Sequence, residues 1–164
     1  MNRFLTSLTL MTIATVIISL SSNAQVISTK NISLDAAKKI AAEVANYAKT
    51  NNASGGAIAV VDAGGNLVYL ERLDNTFAAA SEVAIRKANT AALFKASSSK
   101  LENAINGGRQ ALITVGHTFL QGGVPIVFDG QVIGAIGVSG SASAQQDEDM
   151  ANAGPNIILD EKGF

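Results

Sequence analysis

The chain has 164 residues, 12 Lys and Arg against 13 Asp and Glu, one His, no Cys and no Trp. Without a thiol it has no cysteine nucleophile, iron–sulfur cluster, Cys-type zinc site or disulfide, and a single His excludes any site that needs two. A formal charge of −1 speaks against a nucleic-acid partner, because neutralising phosphates takes a basic surface, and 48% apolar against 15% charged residues speaks against disorder.

Residues 1–24 read as a secretory signal peptide. Arg3 is their only charge, Leu8 to Leu20 is apolar, and Ser22-Asn23-Ala24 places small side chains before Gln25. Thr and Ser dilute the apolar run and no basic cluster follows it, which favours cleavage over a membrane anchor. The expectation is an exported protein, periplasmic or secreted, with no membrane segment in its mature form. Residues 25–31 form a polar leader, 32–155 a single domain and 156–164 a peripheral tail.

Ser33 is suited to cap a first helix, in which Leu34, Ala37, Ile40, Ala41, Val44 and Ala48 recur at helical spacing. Ala57 to Val61 and Leu67 to Leu70 are β-rich and flank the turn residues Asp62-Ala-Gly64-Gly65-Asn66, a hairpin. Ala78 to Ala96 is a second helix, whose many alanines let its backbone approach a sheet, and Ser97 to Ala104 a short third. Ala111 to Val115 reads as a strand, Val124 to Phe128 as another, and Asp129-Gly130 as a two-residue turn into a strand from Val132 to Ser139. A last helix spans Ser143 to Ala153. Hairpin connections dominate, so the fold class is α+β, with a mainly antiparallel sheet and packed helices.

Glycine is the densest motif. Gly134, Gly137 and Gly140 recur every third residue, so Gly134 and Gly137 thin opposite faces of their strand. Two readings follow: close packing against the Ala-rich helices, or a flat ligand or sister subunit pressed onto main chain. The spacing matches neither a dinucleotide fingerprint nor a phosphate-binding loop. Among the charges, Arg72, Asp74, Arg86, Lys87 and Asp147 stand out. Lys87 falls in the apolar stripe of the second helix, where an ammonium needs a partner: either a salt bridge to Asp62, Asp74 or Asp147, or a ligand carboxylate. His117 lies in an irregular stretch between strands. Scattered acids and the absence of a His-Glu-x-x-His or EF-hand pattern leave no metalloenzyme motif.

The runs Ala57-Ile-Ala-Val-Val-Asp62-Ala-Gly64-Gly65-Asn-Leu-Val, Arg72-Leu-Asp74, Ser81 to Ala91, Gly122-Gly-Val-Pro-Ile126, and Gly134 to Gly140 followed by Gln146-Asp147 resemble the GlcG/HbpS-type haem-binding (haem-degrading-domain-like) family. The likeness runs from about Ile32 to Ala153. It implies a profilin-like α/β layer with about five strands, assembly into homo-oligomers, kinship with the C-terminal domain of PduO-type cobalamin adenosyltransferases, and haem as the cofactor. For that cofactor the candidate binding residues are His117, as axial ligand to the haem iron by elimination, and Arg72 and Lys87 for the propionates, with Arg86 or Arg109 as alternatives. Asp74, Gly122, Gly123, Pro125 and Asp147 are the candidate pocket lining. The first functional expectation is an exported protein that captures or senses haem without turnover as its main task. The alternatives are an enzyme or carrier for a small hydroxy- or oxo-acid, gripped by Arg72 and Lys87, and an oligomeric accessory protein whose glycine-rich surface packs subunits.

Overall fold

A computed structural model describes residues 27–156. The expected signal peptide, the first two leader residues and the tail beyond Asn156 lie outside the described residues. Ser33 opens helix α1 (Leu34–Thr50), its hydroxyl accepting the Ala36 N–H at 3.2 Å, with Asp35 in the first turn and Lys49 in the last, each of the sign the helix dipole favours. Ala37, Ile40, Ala41, Val44 and Ala48 form its buried stripe. Strands β1 (Ala57–Asp62) and β2 (Leu67–Arg72) make the expected hairpin, closed by Asp62 Oδ1 accepting the N–H groups of Gly64 and Asn66 at 2.9 and 2.8 Å. Helices α2 (Ala80–Phe94) and α3 (Ser98–Asn106) follow. Then β3 (Gly123–Phe128) and β4 (Gln131–Ser139) turn through Asp129 and Gly130, both at positive φ, and α4 (Ala144–Ala153) ends the domain.

Among the described residues the sheet has four strands in the order β2-β1-β4-β3, antiparallel throughout. The α+β antiparallel architecture is therefore as expected, with four strands in place of about five. The missing one is the segment read as a strand at Ala111–Val115, which is a 3-10 helix (Gln110–Val115). Its β-branched residues favour extended backbone, but a strand also needs a neighbour to bond. The segment packs on α3 instead, and the β3 edge carries Pro125, which has no N–H to offer.

Two cores of different grain cover the faces of the sheet. On one, Ile58, Val60, Ile126, Ile136 and Val138 pack against Ile40 and Val44 of α1 and Met150 of α4. On the other, Ala57, Ala59, Val61 and Ala135 meet Ala80, Ala84, Ala88, Ala91 and Ala92 of α2. The small side chains bring α2 down onto main chain: a Cβ on Gly137 would lie 2.1 Å from the Ala84 carbonyl oxygen and 2.6 Å from the Ala88 nitrogen. On the opposite face a Cβ on Gly134 would meet the Val61 carbonyl oxygen at 2.4 Å and Ile32 at 3.0 Å. Both faces are thinned as the spacing predicts. What presses on Gly137 is the protein's own helix, so the packing reading holds there and the flat-ligand reading does not. Among the described residues no helix is long and apolar enough to cross a membrane.

Candidate functional site

Lys87 lies on the sheet-facing stripe of α2 and is buried with the alanines around it. Its ammonium is carried to the end of β4, where Nζ donates to the Val138 carbonyl at 2.9 Å and to Asp147 Oδ2 at 2.8 Å. Asp147 comes from the first turn of α4, beside the positive end of that helix. Its other oxygen accepts the Ser141 N–H at 3.0 Å and the Ser141 hydroxyl at 2.7 Å. The two charged side chains are 4% and 8% exposed. Of the two readings of Lys87, the salt bridge is the one the structure contains, and its partner is Asp147. Ammonium and carboxylate neutralise each other in a closed network.

Gly122 and Gly123 belong to this network's wall. Gly122 has φ +118, and a Cβ there would fall 2.7 Å from the Val138 carbonyl oxygen and 3.0 Å from Lys87 Nζ. A Cβ on Gly123 would meet the Lys87 carbonyl oxygen at 2.3 Å. The pair of glycines lets the chain pass between α2 and β4 without displacing the ion pair. Pro125 is half-buried farther along β3, in register with Ala135. Two residues that hold this corner escaped the sequence reading. One is Ser141; the other is Ser98, whose buried hydroxyl accepts the Gly123 N–H at 2.8 Å. Serines in a Ser-rich loop and at a helix start look like ordinary turn and cap residues, so no local signal marks them.

Arg72 and Asp74 lie elsewhere. Arg72 ends the edge strand β2, three strand positions from β3, and is exposed; Asp74 is exposed in the turn that follows. Neither side chain makes an ion pair or hydrogen bond among the described residues.

His117 follows the 3-10 helix and Gly116. It is half-buried, with its ring edge-on to Phe94 (centroids 5.2 Å, 82°), which in turn meets Phe119 edge-on (5.5 Å, 80°). Neither ring nitrogen of His117 is hydrogen-bonded among the described residues. No buried side-chain nitrogen or oxygen there lacks a partner, so both nitrogens reach solvent. Exposed apolar side chains flank it in the chain: Ile113 (64%), Val115 (49%) and Leu120 (50%). Phe94 is the last residue of α2, and 15 helical residues span roughly 21 Å. The first turn of that helix, near Gly140, is the end where β2 finishes. Thus His117 and Arg72 stand at opposite ends of α2, and Lys87 between them is internally paired. The three candidate cofactor residues do not converge on one ligand.

The family model described as "Haem degrading protein HbpS-like" matches residues 32–156. The chain belongs to this family. Among curated proteins, GlcG of Escherichia coli K12 is 47% identical over 83 residues, which cover 50% of this chain and 62% of GlcG, so the match spans about three fifths of that relative. An uncharacterised 15.0 kDa protein of Citrobacter freundii is 32% identical over 73% of this chain and 87% of its own length. Among solved structures, a double mutant of Streptomyces reticuli HbpS superposes with a TM-score of 0.76 at 29% identity, over 84% of this chain and 94% of that one. A PduOC:haem complex shares the fold, with a TM-score of 0.68 at 24% identity over 77% and 94%.

Proposed function

We propose that this protein binds haem at the far end of α2, with His117 as the ligand to iron. The observation that carries the reading is the His117 imidazole, held edge-on by Phe94 with both nitrogens unbonded and apolar side chains exposed on either side in sequence. An axial imidazole and an apolar surface are what a porphyrin requires. Membership of a family described by haem degradation supports the same ligand. Arg72 and Lys87 are not suited to the propionates, for the reasons of distance and pairing above. Lys95, immediately after Phe94, and Arg109, immediately before the 3-10 helix, are exposed and without an ion-pair partner among the described residues. They are the cations that would hold the propionates. Bound haem would supply an iron centre for ligand or electron exchange, while the protein contributes the imidazole, the apolar surface and the two cations. The reading is of haem capture or sensing, by an exported protein if residues 1–24 are removed as a signal. Exposed Ile113, Val115 and Leu120 also favour contact with a second copy.

Hemin titration followed in the Soret band tests the site. The wild type is expected to give a saturable 1:1 shift, and His117→Ala to lose the axial-ligand spectrum while its circular dichroism stays native. An identical Soret band in His117→Ala would remove that residue from the role.

A further inference from the structure

At the other end of α2, two uncommitted side chains share a row of the sheet on the face that the helix covers. Ala57 is the register partner of Arg72 on one side and of Ser139 on the other, so these three side chains form a row across adjacent strands on one face of the sheet. That face is the one beneath α2, since Ala57 packs with Ala80 and Ala84. Ser139 is only 4% exposed, yet its hydroxyl makes no hydrogen bond among the described residues. Because no fully buried side-chain oxygen there lacks a partner, this one looks through a narrow opening. Arg72 is exposed and unpaired in the same row.

The first turn of α2 stands over this row. A Cβ on Gly140, the residue after Ser139, would lie 2.9 Å from the Ala80 Cβ. Among the described residues Ser33, Ser97 and Ser143 cap the other three α-helices with their hydroxyls, but Ala79 gives α2 no side-chain cap. The Ala80 N–H is taken by the Phe77 carbonyl at 3.1 Å, while those of Ser81 and Glu82 have no acceptor among the described residues. A helix start with free N–H groups, a hydroxyl reached through a narrow opening and an unpaired guanidinium can all donate to the same thing: an acceptor-only anion.

We propose that this corner binds the carboxylate of a small organic acid, with Arg72 gripping the head group and Ser139 and the N–H groups of α2 donating to it. The surrounding charges set its valence. Glu82 is paired with Arg86 at 2.5 Å on the outer side of α2, Glu71 points to the opposite face of the sheet where it accepts from Tyr69, and Asp74 lies exposed two residues beyond Arg72. One free cation beside one free carboxylate suits a singly charged head better than a phosphate dianion. This site does not depend on the haem reading, which concerns the opposite end of the helix.

The test is calorimetric titration of the full chain with acetate, lactate and inorganic phosphate. One of the two acids is expected to saturate a single site and to bind more tightly than phosphate. Arg72→Gln, at an exposed position, should fold normally by circular dichroism and weaken that acid by roughly ten- to a hundredfold; Ser139→Ala should weaken it by roughly three- to tenfold. Hemin uptake should be unchanged in Arg72→Gln. Failure of both acids to saturate, equal affinity in Arg72→Gln, or tighter binding of phosphate would each overturn the proposal. So would loss of hemin uptake in Arg72→Gln, which would assign the guanidinium to a propionate.

Discussion

Removing both halves of the Lys87–Asp147 pair should destabilise the domain by clearly less than the sum of removing each alone. At 2.8 Å and an effective dielectric constant near 20, the attraction is about 6 kcal/mol. Desolvating two ions costs several kcal/mol each, so the intact pair adds little net stability. The asymmetry appears on mutation. Lys87→Met leaves the Asp147 carboxylate buried with only the two Ser141 donors. Asp147→Asn leaves the ammonium against a neutral amide and the Val138 carbonyl. Each should cost about 3–5 kcal/mol, a large part of the ~5–15 kcal/mol typical of a domain. For a chain of this size that corresponds to a melting point lower by roughly 10–20 °C. In Lys87→Met/Asp147→Asn no buried charge is left, and the amide oxygen that replaces the Asp147 carboxylate still accepts from Ser141. The double variant should recover at least about 2 kcal/mol relative to the sum of the singles. Urea unfolding at neutral pH, analysed as a double-mutant cycle, measures this directly. Singles within about 1 kcal/mol of wild type, or a double variant equal to the sum, would refute the view that the pair is a closed structural contact.

Gly137→Ala should cost at least about 3 kcal/mol, because the new methyl falls on α2 main chain that cannot rotate aside, whereas Gly107→Ala, at ordinary φ and facing the Asn103 and Ala104 carbonyl oxygens at 3.1 and 3.6 Å, should stay within about 1 kcal/mol by urea unfolding. Repulsion from Glu71, then the 3.2 Å hydrogen bond to it and then burial, raise the Tyr69 phenol above its usual value of 10.0. The folded state therefore holds that proton more tightly than the unfolded one. This contribution to stability is complete below pH ~10 and is lost as pH rises through the raised value. In a Tyr47→Phe background, ultraviolet titration should show phenolate forming at lower pH once Glu71→Gln is introduced; an unchanged midpoint would show that Glu71 is not the cause.

Much of the fold was legible in local chemistry. The helix at Ser33, the hairpins at Asp62–Asn66 and Asp129-Gly130, and the alternation of Gly134 and Gly137 between faces each depend on residues within a few positions of one another. Caps, positive-φ turns and side-chain periodicity act at that range. Ala111–Val115 fails for the opposite reason. Its β-branched residues carry the right propensity, but strand formation depends on a partner, and the segment packs on helix α3 instead.

The site divides along the same line. Composition determined that this chain has one imidazole, no thiol and little net charge, and its spaced motifs point to the family to which it belongs. Which charges are free was decided only in three dimensions. Lys87 and Asp147, 60 residues apart, cancel each other, while Arg72 and Ser139 meet through Ala57 and keep their hydrogen-bonding capacity. His117 and Arg72 are parted by the length of a helix. Pairing and separation of this kind arise from how α2 crosses the sheet, a contact between main chains made possible by glycine and alanine, and no window of neighbouring residues contains that angle.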